Sequence, residues 1–306
     1  MHRFPPAEPI VKVSNLSKHF ADIMAVDNLS FQVMEGDIYG FLGPNGSGKS
    51  TSIRLMLSLM RPDKGRLEIF GMPLKQNRMK ILKNVGAFIE KPDFYEYLSA
   101  HKNLELLCRY SGIPADAGRI MEILELVGLK DRASYKVKTY SKGMKQRLGI
   151  AQSLLHDPEL LILDEPASGL DPSGNRDIRE LVKYLNREKG KTIILSSHNL
   201  SEIEMIATRM LIINKGKKLV EGSVKELLAE QSYLTSFMVD DATRASKALE
   251  QGPFEVSRLL VSDKLLQLHC TREIIPDINA YLISAGIRVE SIKIEQTLEE
   301  FFLNMT

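Results

Sequence analysis

The apolar run Ile38-Tyr39-Gly40-Phe41-Leu42 leads without a break into Gly43-Pro44-Asn45-Gly46-Ser47-Gly48-Lys49-Ser50-Thr51, and this junction constrains the fold more than any other feature of the chain. The nine residues fit the pattern G-x-x-x-x-G-K-[ST]. Glycines at these places let successive backbone N–H groups turn inward around anionic oxygens. A helix expected over Ser50–Met60, with apolar positions at Ile53, Met56, Leu57 and Met60, aims the positive end of its dipole at the same charge. Arg61-Pro62-Asp63-Lys64-Gly65 ends it. Strand, loop and helix in this order imply an α/β domain that cradles the phosphates of a nucleotide. Gly43 to Thr51 form the cradle, Lys49 bridges the β- and γ-phosphates, and the Ser50 hydroxyl coordinates Mg²⁺.

A second apolar run, Leu160-Leu161-Ile162-Leu163, ends in Asp164-Glu165. Open α/β sheets bind ligands at the carboxyl ends of their strands. Asp164 therefore suits the Mg²⁺ shell, and Glu165 is placed to orient or deprotonate an attacking water. Thr192–Ser196 and Met210–Ile213 are further buried-looking strands, with a helical stretch near Ile178–Arg187 between them, as in a parallel sheet covered on both faces. Val11–Val13 and Phe31–Val33 read as short strands before the loop. The stretch from about Pro92 to Asp157 reads as mostly helical, broken at Ser111–Pro114 and around Gly128.

Composition removes several classes. The 41 basic and 39 acidic residues nearly cancel, so no broad field draws a nucleic-acid backbone. Cys108 and Cys270 lack the spacing of a zinc site or a disulfide framework. No stretch reaches the eighteen or so apolar residues of a membrane span, so work at a membrane requires another chain as anchor.

About twenty residues before the Asp164 strand comes Tyr140-Ser141-Lys142-Gly143-Met144-Lys145-Gln146-Arg147. It resembles the signature motif of the ABC transporter ATPases, usually Leu-Ser-Gly-Gly-Gln: Ser141 and Gly143 match, whereas Lys142 and Met144 depart. Other matches follow in family order. Phe20 resembles the aromatic residue that stacks on adenine. Ser168-Gly169-Leu170-Asp171 resembles the loop that joins the two ATP sites of a dimer, and His198 the switch histidine that contacts the γ-phosphate. Val85-Gly86-Ala87-Phe88-Ile89-Glu90 resembles the segment that usually ends in glutamine, whose side chain reaches Mg²⁺ and water; Glu90 stands there instead. A carboxylate can also ligate Mg²⁺. Glu90 followed by Lys91-Pro92-Asp93-Phe94-Tyr95 resembles the bacitracin-type exporters and lantibiotic immunity transporters.

The resemblance implies a P-loop NTPase of the ABC ATPase fold over residues 1–230, an α/β architecture with a mixed sheet, a RecA-like core and a helical subdomain at about 92–157. It implies ATP and Mg²⁺ as cofactors and a second copy of the chain, packed head to tail, whose Ser141 and Gly143 close on the first copy's ATP. Integral-membrane permease subunits would be partners, placing the chain at the cytoplasmic face of the membrane as a peripheral subunit, with no nucleic acid. Alternatives are a soluble ABC ATPase acting on nucleic acid or ribosomes, a P-loop kinase, or export of lipid, polysaccharide or sodium. The stretch between Lys49 and Asp164 is too short for the long coiled coil of the chromosome-maintenance kind.

Past residue 230 the pattern changes. Ser236–Val239, Glu255–Val261, Leu265–His269 and Ile287–Ile294 read as strands, with helices near Ala242–Leu249, Glu273–Ser284 and Thr297–Asn304. The order β-α-β-β-α-β predicts a small ferredoxin-like α+β domain over 231–306 with a closing helix. Thr297-Leu298-Glu299-Glu300-Phe301-Phe302 resembles the ending of many exporter ATPases.

Overall fold

The computed structural model describes residues 9–89, 93–229, 233–254 and 257–295. Glu90 and the stretch Thr297–Asn304, both assigned parts above, lie outside the described residues. The chain divides into two compact units, with the boundary between Val224 and Lys225.

In the first unit β1 (Pro9–Phe20) and β2 (Ile23–Met34) form a long antiparallel hairpin. Each is far longer than the short strand read from the sequence. Register shifts along their pairing interrupt the alternation of apolar and polar residues that would have marked their length. The wholly buried β3 (Ile38–Leu42) delivers the chain to the phosphate loop and α1 (Lys49–Met56). That helix stops four residues earlier than expected, because the chain turns through Ser58 at φ 54° and a left-handed residue cannot continue an α-helix. Next come β4 (Lys64–Ile69), β5 (Met72–Pro73), α2 (Leu74–Leu82) and β6 (Val85–Phe88). The helical stretch then supplies α3 (Ala100–Tyr110), α4 (Ala117–Leu126) and α5 (Lys142–Ser153). The chain returns through β7 (Leu160–Asp164), α6 (Pro172–Arg187), β8 (Thr192–Ser197), α7 (Leu200–Ile206), β9 (Arg209–Asn214) and β10 (Lys217–Ser223), and α8 (Val224–Ala229) begins at the boundary and runs into the second unit.

The central sheet has the order β10-β9-β3-β8-β7-β6. Five strands run parallel, and β10 pairs antiparallel at the edge, so the sheet is mixed. Strands β3, β7 and β8 are buried along their whole length and carry continuous apolar runs because both faces are covered. A second, antiparallel sheet, β2-β1-β4-β5, shares the core. Phe31 joins the two, stacking on Tyr39 at 5.8 Å and meeting Phe41 edge-on at 5.4 Å. Ile53, Leu55 and Met56 of α1 are fully buried in the same core. Each such side chain contributes about 1.5–3 kcal/mol by leaving water, and together they hold the start of α1 under the loop.

The second unit contains β11 (Tyr233–Val239), α9 (Ala242–Glu250), β12 (Ser257–Ser262), β13 (Leu265–Cys270), α10 (Ile275–Ser284) and β14 (Val289–Glu295). Its sheet has the order β12-β13-β11-β14 with every neighbouring pair antiparallel, the arrangement of a ferredoxin-like β-α-β-β-α-β unit. Phe237, Val239, Leu266 and Leu268 of the sheet pack with Leu249 of α9 and Ile278 and Leu282 of α10. Asp241 caps α9 by accepting the N–H of Arg244 at 2.9 Å.

Candidate functional site

The phosphate loop is built from close backbone approaches. Gly48, at φ 105°, sits immediately before α1, and a Cβ there would overlap the carbonyl oxygen of Ala25. Gly43 is hemmed in by the Ile213 carbonyl and the Ser47 side chain. Its N–H donates to Ser197 O at 3.4 Å, tying the loop to the end of β8. The Ser47 hydroxyl is buried without a hydrogen-bond partner. Lys49 is 5% exposed, and its ammonium donates to the carbonyls of Gly43 at 2.7 Å and Pro44 at 3.1 Å. Burial pushes the Lys49 pKa below the usual lysine range, while the charges of Glu165 and Asp164 pull it back up. Ser50 and Thr51 continue into the first turn of α1.

Asp164 ends β7, 5% exposed, and its Oδ1 accepts a 2.5 Å hydrogen bond from the hydroxyl of Ser196 on the adjacent β8. The same hydroxyl accepts the backbone N–H of Glu165 at 2.9 Å. Glu165 has φ 48°, a left-handed conformation that a residue with a Cβ holds at a cost of about 1–3 kcal/mol when its surroundings enforce it. Glu165 Oε1 is 3.7 Å from Lys49 Nζ and 3.2 Å from His198 Nδ1. Lys49, Asp164, Glu165 and His198 therefore form one cluster, although the sequence separates them widely.

Ser141, Gly143 and Asp171 gather elsewhere. They line a cleft of about 290 Å³ with Lys142, Arg147, Gly169, Leu170 and Asp177, and none of the Lys49 cluster takes part. Ser141 caps α5, accepting the N–H of Met144 at 3.2 Å, and Asp171 caps α6, accepting that of Gly174 at 3.3 Å. The Lys142 ammonium occupies the space that a Cβ at Gly169 would need, so it folds onto the loop before α6. Phe20, at the end of β1, is 41% exposed. Lys18 Nζ lies 5.6 Å from its ring centre, and Asp63 holds this strand end by accepting from His19 N–H at 2.7 Å and Lys18 Nζ at 2.9 Å.

The ABC transporter family model matches residues 26–168. Across 97% of this chain and 96% of its own length, the YhcH ABC transporter ATP-binding protein of Bacillus subtilis (strain 168) is 41% identical. This chain belongs to the ATP-binding subunits of ABC transporters. The bacitracin transport ATP-binding protein BcrA of Bacillus licheniformis is 40% identical over 97% of each chain. Among solved structures, a dimeric ATP-binding cassette in a post-hydrolysis state bound to ADP and Pi superposes with a TM-score of 0.63 at 26% identity, over 70% of this chain and 98% of that one. The ABC subunit binds and hydrolyses ATP, and proteins of this family dimerise and work with membrane permease subunits. Among its described residues no helix is long and apolar enough to cross a membrane.

Two polar residues of this ABC ATPase escaped the sequence reading. Ser196 lies inside the Thr192–Ser196 run and reads there as one more strand residue. Only the pairing of β7 with β8 reveals that its hydroxyl serves both carboxylate residues. Gln146, noted above only as part of the signature stretch, donates from α5 to Ser168 O at 3.2 Å, joining the signature helix to the loop that ends at Asp171.

Proposed function

We propose that this chain powers the export of a peptide antibiotic or another drug through separate permease subunits in the membrane, acting from the cytoplasmic face as a peripheral pair of identical ATPases. The observation that carries the reading is the 40% identity to a bacitracin transport ATP-binding protein over 97% of both chains, the second unit included. In the proposed dimer each ATP is held by Gly43–Thr51 of one copy and by the Ser141 and Gly143 of the other. Phe20 stacks on the adenine, and Asp171 lies at the crossing between the two sites.

Hard oxygen donors suit Mg²⁺, and among the described residues the candidates read from the sequence are the Ser50 hydroxyl in the first turn of α1 and the Asp164 carboxylate at the end of β7, the strand against which α1 packs. Mg²⁺ bound there would neutralise charge on the phosphate oxygens. Lys49, whose ammonium now rests on loop carbonyls, exchanges these weak acceptors for phosphate oxygens. Glu165 orients the attacking water and draws on its proton, and His198 contacts the γ-phosphate while holding the Glu165 carboxylate in place. Closure of the second copy excludes water and strengthens each of these interactions.

Co-expression with its permease in a bacitracin-sensitive strain tests the reading. Survival is expected to rise with the intact pair and to return to the background with Glu165→Gln. Equal survival with and without a functional ATPase, across a panel of peptide antibiotics and drugs, rules it out.

A further inference from the structure

A set of polar contacts outside the phosphate machinery meets where β8 turns into α7. The buried Ser197 hydroxyl donates to Glu202 Oε2 at 2.8 Å and accepts the N–H of Asn199 at 3.0 Å. Asn199 caps α7, its side-chain oxygen accepting the N–H of Glu202 at 3.4 Å. The second oxygen of the same carboxylate, Oε1, accepts from Asn175 Nδ2 at 3.3 Å. Asn175 lies in the first turn of α6, the helix capped by Asp171.

In an ordinary capping box the acidic residue at the third helical position bonds directly to the N–H of the cap. Here the hydroxyl of Ser197 is interposed, so the carboxylate of Glu202 holds the chain on both sides of His198. A cap alone needs only Asn199. The reach of Glu202 to β8 and to α6 does something further: it anchors an exposed turn to two packed elements. His198 needs such an anchor, because its ring is 48% exposed and meets Glu165 across 3.2 Å from that turn. A misplacement of about 1 Å in a reacting constellation can lower a rate by about a hundredfold.

We propose that Glu202 is a positioning residue for ATP hydrolysis, holding the turn that presents His198 to Glu165 and registering it against the start of α6. The inference rests on the reading of His198 as a γ-phosphate contact. It also assigns Asn175 the second half of the anchor, which makes the two side chains energetically coupled.

The test measures kcat and KM for ATP in the assembled complex for Glu202→Gln, Glu202→Ala, His198→Ala and the double variant, with the Tm of each ATPase subunit. Glu202→Gln keeps the volume and one acceptor and is expected to lower kcat about threefold. Glu202→Ala is expected to lower it about tenfold, with KM within about twofold of the parent. In the His198→Ala background, Glu202→Ala should cause no further loss of kcat, although it lowers Tm in both backgrounds. Asn175→Ala should lower kcat in the same direction and combine with Glu202→Ala less than multiplicatively. An equal fold-loss of kcat from Glu202→Ala in both backgrounds overturns the proposal, as does a Glu202→Ala single variant, with His198 intact, whose kcat equals that of the parent. Should His198→Ala alone turn over like the parent, the reading of the histidine fails and the Glu202 proposal falls with it. A slow His198→Ala on which Glu202→Ala still multiplies overturns the Glu202 proposal alone.

Discussion

The hydroxyl of Ser196 donates to Asp164 Oδ1 at 2.5 Å and at the same time accepts the backbone N–H of Glu165 at 2.9 Å. One side chain on β8 thus fixes the Asp164 carboxylate and the unusual backbone of its neighbour. Removing it by Ser196→Ala leaves a buried carboxylate oxygen and a backbone N–H without their partner, at about 1–3 kcal/mol for each group left unsatisfied. Denaturant unfolding of the purified subunit should show the loss. Turnover should fall on the order of tenfold, since Glu165 is no longer held in its left-handed conformation.

Glu165→Gln preserves the shape of the cluster and removes the basic carboxylate. ATP binding should persist while turnover in the assembled complex falls by about 10²–10⁴. Single-turnover kinetics separate the two, and unchanged turnover removes Glu165 from the proton-accepting role.

Lys49→Ala acts earlier. The ammonium is buried near the carboxylates of Glu165 and Asp164 and on two carbonyl oxygens, and in the proposed role its removal takes away the point charge that would meet the β- and γ-phosphates. Titration with a fluorescent ATP analogue should show affinity falling by at least about a hundredfold, the scale of about 3 kcal/mol for a lost charge-assisted contact.

Asp63 provides a pH-dependent test. The backbone N–H of His19, and then the Lys18 ammonium, hold its carboxyl below the usual aspartate range. Because the folded value lies below the unfolded one, the stabilisation is fully present above the unfolded value and is lost as pH falls through the folded one. The Tm of Asp63→Asn should therefore lie below that of the parent at neutral pH, and the two curves should converge in acid. Nucleotide affinity at neutral pH should weaken too if Phe20, on the strand end that Asp63 holds, stacks on adenine.

What the sequence disclosed was local. Glycine spacing over nine residues marks a turn that only small residues can make, and it is visible without knowing what packs above it. The apolar runs of β3, β7 and β8 were legible because strands covered on both faces carry no polar alternation to confuse them. The β-α-β-β-α-β order of the second unit was equally readable, since each element there has its own period and turn signals. The long hairpin β1–β2 was not, because shifts in its pairing break the period that would have revealed it. Strand β4, which lies between β1 and β5, was hidden too, as the stretch Arg61–Gly65 reads as a helix terminator and Lys64 and Gly65 lie exposed within it.

By itself, then, the sequence determined that this chain has a phosphate loop, a strand ending in two carboxylates, a signature helix between them and a second small α+β unit. Tertiary structure alone decided that Ser196 binds both Asp164 and Glu165, that Lys142 lies on Gly169, and that Glu202 joins Ser197 to Asn175. The physical reason is range. A turn or an apolar period is a property of neighbouring residues, whereas a hydrogen bond between residues 31 or 32 positions apart depends on which strands lie side by side. That adjacency is set by the packing of the whole core.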